Sequence, residues 1–286
     1  MDGFFKKMFS NKNKDSGIKP GQFDGDDSAN QVTPEQKERF RYSETLYEIS
    51  DDKLQTLFPS RELQTAFHEM KASTMPPIAA LNNKRSIVEE MKEKNLIDLE
   101  ILKSKNTIYV GSGTDVEYPI LLGARNITLV DIGFAESERM KKEIQDRVRK
   151  ITPDFVTKKD DMLCQIDFGA GKEEVFISLN SQHYGPPVDE NQKVERFVFP
   201  ENVGLVIGFS SGGPVGRESS LLDSLQVGSY ILDTEHLHQI DSHLDNEENV
   251  FIPLHTRTTE EIQNAYNKIG FRYIPSQHGI LLQKIK

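Results

Sequence analysis

The chain has 286 residues, 36% hydrophobic and 28% charged, with 35 Lys and Arg against 45 Asp and Glu and a formal net charge of −10. That is enough for one large domain or two small ones, and the acidity opposes a surface built to grip nucleic acid or anionic lipid. No run approaches the roughly 20 apolar residues of a membrane span, the start MDGFFKKMFSNKNK lacks a signal-peptide pattern, and the lone Cys164 excludes an internal disulfide, cysteine-cluster zinc and dithiol chemistry. The expectation is a soluble, cytoplasmic protein with no stable membrane insertion.

Residues 1–32 read as a disordered tail, because SNKNKDSGIKPGQFDGDDSANQ offers too little apolar surface to offset the entropy of ordering. Thr33-Pro34-Glu35-Gln36 is a helix start, with Thr as N-cap, Pro at the first helical position and Gln completing a capping box. Helical spacing recurs at Leu63, Ala66, Phe67 and Met70, then at Ile87, Val88 and Met91, with Leu96 and Leu99 beyond. Residues 33–104 are thus expected as a helical N-terminal region that packs on, or caps, the rest of the chain.

From residue 105 to 286, strand-like and helix-like segments alternate. Strands are expected at 107–110, 127–130, 155–156, 203–209 and 229–232, helices at 115–123, 135–150, 217–226 and 259–269, and two more strands at the end. The run VGLVIGF at 203–209 is nearly all apolar, as in a strand buried on both faces. Such alternation predicts right-handed crossovers and a doubly wound, mainly parallel α/β sheet. Residues 164–200 break the pattern, and CQIDFGAGKEEVFISLN reads as a hairpin around Gly169-Ala170-Gly171, an insertion before the next core strand.

The informative stretch is IYVGSGTDVEYPILLGARNITLVD, residues 108–131. A strand ends in Gly111-Ser112-Gly113, a helix comes next, and a second strand ends in Asp131, placed to accept hydrogen bonds from two ribose hydroxyls. A dinucleotide fingerprint wants a third glycine where Val116 stands, and Asp115 in the turn repels a phosphate while attracting a cation. Those charges favour S-adenosylmethionine over NAD.

GSGTD followed by LVD resembles the first two motifs of the class I S-adenosylmethionine-dependent methyltransferases. LLDSLQVGSYIL at 221–232 is similar to that family's helix, glycine turn and fifth strand, and AYNKIGFRYIPSQHGILLQKIK to its final helix and antiparallel hairpin. The resemblance covers about residues 105–286. It implies a seven-stranded Rossmann-like sheet ending in a C-terminal antiparallel hairpin and an S-adenosyl-L-methionine site at Gly111, Ser112, Gly113, Asp115, Asp131 and Ile132. It also implies that Asp160 and Asp161 meet the adenine amino group, with Met162 or Leu163 against the ring.

The chemistry of the acceptor side is less marked. The expected fourth-strand loop reads Ser210-Ser211-Gly212-Gly213 where many family members carry a polar substrate motif. Candidate catalytic groups are His183, Tyr184 and Ser211. His236, His238 and His243 could ligate a divalent metal beside Glu235 or Asp241, although a polar surface loop explains them as well and no metal is expected. Small-molecule or protein methylation is the leading expectation, with no nucleic-acid partner. A catalytically silent binding scaffold and a nicotinamide-dependent oxidoreductase are the alternatives, and oligomeric state is open.

Overall fold

The computed structural model describes residues 49–70, 84–182, 197–208, 225–233, 258–268, 270–277 and 280–286. The expected helix start at Thr33 and the expected helix at 217–226 lie outside them. Residues 47–286 form one compact unit.

At its centre lies β1 (Asn106–Val110), whose last four residues are all buried, and β6 (Val203–Gly208), buried along its whole length. Strands covered on both faces need no polar alternation, which is why both read as continuous apolar runs. Parallel to β1 on one side runs β2 (Asn126–Val130), and on the other β6, followed by β7 (Tyr230–Asp233), also parallel. The helix α5 (Glu117–Leu122) connects β1 to β2, as a right-handed crossover requires.

Two helices come after β2, the short α6 (Gly133–Glu136) and the longer α7 (Glu138–Ile151). Ser137 caps α7 by accepting from the Met140 amide, and Ile144, Val148 and Ile151 form its buried stripe. The chain then enters β3 (Phe155–Lys158), β4 (Asp161–Asp167) and β5 (Lys172–Asn180), an antiparallel meander. The hairpin expected around residues 169–171 is present as the β4–β5 turn. Its second strand is no insertion, however: β5 lies parallel to β2, with Ile127 opposite Ile177 and Leu129 opposite Leu179. Residues 155–156 are correspondingly not the third parallel strand but the outer edge of the meander.

Two last strands close the other end, β8 (Phe271–Ile274) and β9 (Ile280–Lys284). β9 is antiparallel to both β7 and β8, and α8 (Thr259–Lys268) packs on β8. Among the described residues the sheet therefore runs β3-β4-β5-β2-β1-β6-β7-β9-β8, nine strands instead of the seven expected. Renumbered without β3 and β4, β5-β2-β1-β6-β7 is the 3-2-1-4-5 order of a doubly wound fold, with an antiparallel strand where a sixth parallel one would lie. The surplus over seven is the β3–β4 ribbon.

Among the described residues four helices precede β1: α1 (Asp51–Leu57), α2 (Arg61–Glu69), α3 (Lys84–Glu93) and α4 (Leu99–Ser104). Ser50, Ser60 and Asp98 cap α1, α2 and α4 with side-chain oxygens. Leu63, Ala66 and Phe67 of α2 and Ile87, Val88 and Met91 of α3 are buried in the same core as β1, β2 and β5. α2 packs on α5, α7 and β4, and α3 packs on α5, so the helices before the sheet cover one of its faces. Leu99, expected on the apolar stripe, is 47% exposed; Leu102 fills the core from that helix instead.

Candidate functional site

In an open α/β sheet the ligand crevice lies outside the carboxyl ends of the strands, where the strand order reverses. Here that point lies between β1 and β6, and the chain leaving β1 is the glycine turn. Gly111 and Gly113 sit at φ of 61° and 53°, left-handed values that cost an L-residue about 1–2 kcal/mol. A Cβ built on Gly113 would find no atom within 4 Å, so the turn borders open space. Ser112 between them is buried, and its hydroxyl donates to the Gly113 carbonyl at 3.4 Å.

Asp131, at the tip of β2, lies beside this turn as the spacing predicts. One carboxylate oxygen accepts from the Gly113 amide at 2.9 Å and the other from the Gly133 amide at 2.8 Å. A carboxylate has about four acceptor sites, so two remain after both amides are satisfied. Its own amide donates to the Asn180 carbonyl at 3.0 Å, tying the tips of β2 and β5 together. Next to it, Ile132 is 55% exposed, an apolar surface of the kind that packs on a purine.

Asp115 behaves differently. It pairs with Lys84 of α3, and its other oxygen lies 3.6 Å from the Arg147 guanidinium of α7. Arg147 also bonds both oxygens of the fully buried Glu117, at 2.9 and 3.0 Å, and lies 3.5 Å from Glu143. Thr114 donates to the same Glu143 at 3.1 Å. Burial pushes the Glu117 carboxyl up to about 7, against the pull of Arg147. Asp115 thus belongs to a charge cluster beneath the turn. The cations it attracts are the protein's own, so its charge no longer argues against a phosphate.

The remaining expected site residues divide. Asp160 lies in the β3–β4 turn and Asp161 begins β4, one strand beyond β5, where Asp160 pairs with Lys141 at 2.8 Å and Asp161 accepts from Ser178 at 2.7 Å. They are at the carboxyl edge of the sheet but not at the tip of the third parallel strand. Met162 is 1% exposed in the core, because strand alternation turns it away from the open face that bears Leu163. The third parallel strand leads instead into Asn180-Ser181-Gln182, where the Asn180 side chain caps a turn by accepting from the Gln182 amide at 2.8 Å. The alternation of Val175, Ile177 and Leu179 is the signal that marks β5 as a core strand ending there.

His183, Tyr184, Ser211, His236, His238 and His243 all lie outside the described residues. Among the described residues no group of three His, Cys, Asp or Glu is arranged to hold a metal, and no helix is long and apolar enough to cross a membrane. Cys164 is buried, and that burial pushes its thiol up to about 11.

No protein-family model and no curated protein sequence matches the chain. Among solved structures similar to it are S-adenosylmethionine-dependent methyltransferases. One from Aquifex aeolicus has 13% identity over 83% of this chain and 98% of its own, at a TM-score of 0.33. One from Thiobacillus denitrificans, in complex with S-adenosyl-L-homocysteine, has 12% identity over 76% and 73% at 0.36, and one from Geobacter sulfurreducens, also with S-adenosyl-L-homocysteine, 10% over 83% and 72% at 0.32. The fold itself is defined by the strand order.

Proposed function

We propose that the chain binds S-adenosyl-L-methionine over the glycine turn and transfers its methyl group to a small-molecule or protein acceptor. The observation that carries this reading is Asp131, fixed by the Gly113 and Gly133 amides beside open space, with carboxylate acceptor sites to spare for a ribose diol. Ile132 and the turn at residues 180–182 offer an apolar surface and amide groups for an adenine. Gly111 and Gly113 let the backbone approach the amino-acid end closely.

When bound, S-adenosyl-L-methionine supplies an electrophilic methyl group. An acceptor lone pair forms the new bond to that carbon while the sulfur keeps the electrons of the broken bond. The protein's share is to hold the two in line and exclude water, an effect of positioning that needs no strong base. The net charge of −10 favours acceptors other than nucleic acid.

Asp115 supports a second reading. Because Lys84 and Arg147 neutralise it, the turn could take a pyrophosphate, as in a nicotinamide-dependent oxidoreductase. Val116, fully buried, still stands where that fingerprint has its third glycine. Calorimetric titration separates the two. Micromolar binding of S-adenosyl-L-methionine and S-adenosyl-L-homocysteine, lost in Asp131→Ala, supports the methyltransferase reading; binding of NAD alone overturns it.

A further inference from the structure

Val156, Leu163 and Phe176 are 68%, 42% and 41% exposed. Val156 pairs with Leu163 across β3–β4, and Leu163 with Phe176 across β4–β5. The three therefore form one apolar row crossing three strands on the uncovered face, while Met162, Cys164, Val175 and Ile177 point into the core. The row ends at β3, the edge strand of the sheet.

The backbone of that edge has a definite pattern. Lys158 and Asp161 flank the two-residue loop Lys159-Asp160, with Lys159 at φ 56°. In a two-residue hairpin the flanking pair exchanges both hydrogen bonds, and bonded and non-bonded pairs then alternate. Lys158 and Val156 accordingly direct their N–H and C=O groups to β4, while Phe155 and Thr157 direct theirs outward.

We propose that two copies of this chain pair antiparallel through β3, about a two-fold axis at Val156. In that register Phe155 of one copy lies opposite Thr157 of the other, and their outward groups exchange hydrogen bonds. Val156 meets its own counterpart in a non-hydrogen-bonded pair, where side chains approach most closely. Asp154 lies opposite Lys158 of the second copy, and Lys158 opposite its Asp154. Both are exposed, and neither has an ion-pair partner among the described residues. Centring the axis on Thr157 instead opposes Asp154 to Asp160, and centring it on Phe155 opposes Asp154 to Val156. Charge thus selects one register. Pro153, with no N–H, ends the ladder and keeps the association short and concentration-dependent. The joined sheet carries the apolar row unbroken across the axis.

The test uses the full chain and is independent of any cofactor. Sedimentation should show a monomer–dimer equilibrium in the micromolar range. Lys158→Asp should weaken it about tenfold, since like charges then face each other twice, and the double change Asp154→Lys with Lys158→Asp should restore it. Val156→Cys should oxidise to a covalent dimer, its Cβ atoms lying near disulfide reach in this register, while Val198→Cys, at an 80% exposed position elsewhere, should not. A wild type that stays monomeric at hundreds of micromolar overturns the proposal. So does failure of the double change to restore pairing, or Val156→Cys linking no faster than Val198→Cys. A monomer whose Val156→Cys thiol resists maleimide would place another segment of this chain over the row, and also overturns it.

Discussion

Two aspartates flank the same glycine turn, and the fold uses them in opposite ways. Among the described residues Asp131 accepts from the backbone amides of Gly113 and Gly133, neutral donors, beside a turn that borders open space. Asp115 lies against Lys84 and Arg147, above a fully buried Glu117. A carboxylate held by neutral donors retains its charge for a ligand; one matched by internal cations has already used it. A charge in a binding turn therefore counts toward specificity only after its protein partners are known.

The largest expected effect comes from breaking the internal side of this pair. Arg147→Met leaves Glu117 buried without its cation, and losing one member of a buried pair costs about 3–5 kcal/mol. Denaturant unfolding should show that loss growing as pH rises, because the stranded carboxyl must then stay protonated in the folded state alone. Next comes the ligand side. Asp131→Ala should weaken S-adenosyl-L-methionine about a hundredfold by calorimetry, or about 2.7 kcal/mol. Its cost in folding stability should stay near the 1–3 kcal/mol of two charge-assisted hydrogen bonds. A variant that loses stability but not binding would place the ribose elsewhere.

The central strands are legible in the sequence because burial on both faces leaves an unbroken apolar run, as in VGLVIG, and β2 shows as a short run in which Ile127, Leu129 and Val130 are buried around a half-buried Thr128. The third parallel strand is not. In β5 only one face is fully buried, so KEEVFISLN alternates like a hairpin strand, and its parallel pairing with β2 is a tertiary fact that alternation cannot carry. Reading it as a hairpin moves the expected adenine contacts to Asp160 and Asp161, away from the turn at residues 180–182 that ends the third parallel strand. The role of Asp115 is unreadable for a related reason: Lys84 is 31 positions away and Arg147 is 32, and nothing local announces that α3 and α7 bring them together.

A smaller effect sharpens the comparison through pH. The Glu117 carboxyl, at about 7 when folded, lies above its ordinary 4.5 because burial penalises its charge. Between those values the folded chain holds a proton the unfolded chain has released. Its contribution to stability is therefore full below about pH 4.5 and is lost as pH rises through 7, with a slope approaching about 1.4 kcal/mol per pH unit in that window. Glu117→Gln removes the titrating group while keeping an acceptor for Arg147, so its unfolding free energy should lack this slope. Retention of the slope in Glu117→Gln would assign it to another group.

The smallest effect isolates Lys84. The pair with Asp115 is partly exposed, at 15% and 21% of side-chain surface, so Lys84→Met should cost no more than about 1 kcal/mol of stability. Its effect on ligands should be more telling than its effect on folding. With Lys84 gone, Arg147 at 3.6 Å is the cation left beside Asp115 among the described residues, and that guanidinium is shared with Glu117 and Glu143. The turn then regains part of a negative charge, which repels a pyrophosphate and is tolerated by an α-ammonium. Any NAD affinity should fall several-fold in Lys84→Met, while S-adenosyl-L-methionine affinity changes less than about threefold. Titration of both ligands into the variant measures the difference directly. A loss of S-adenosyl-L-methionine binding as large as that in Asp131→Ala would mean that Lys84 contacts the ligand itself, and that the two sides of the turn are not separate after all.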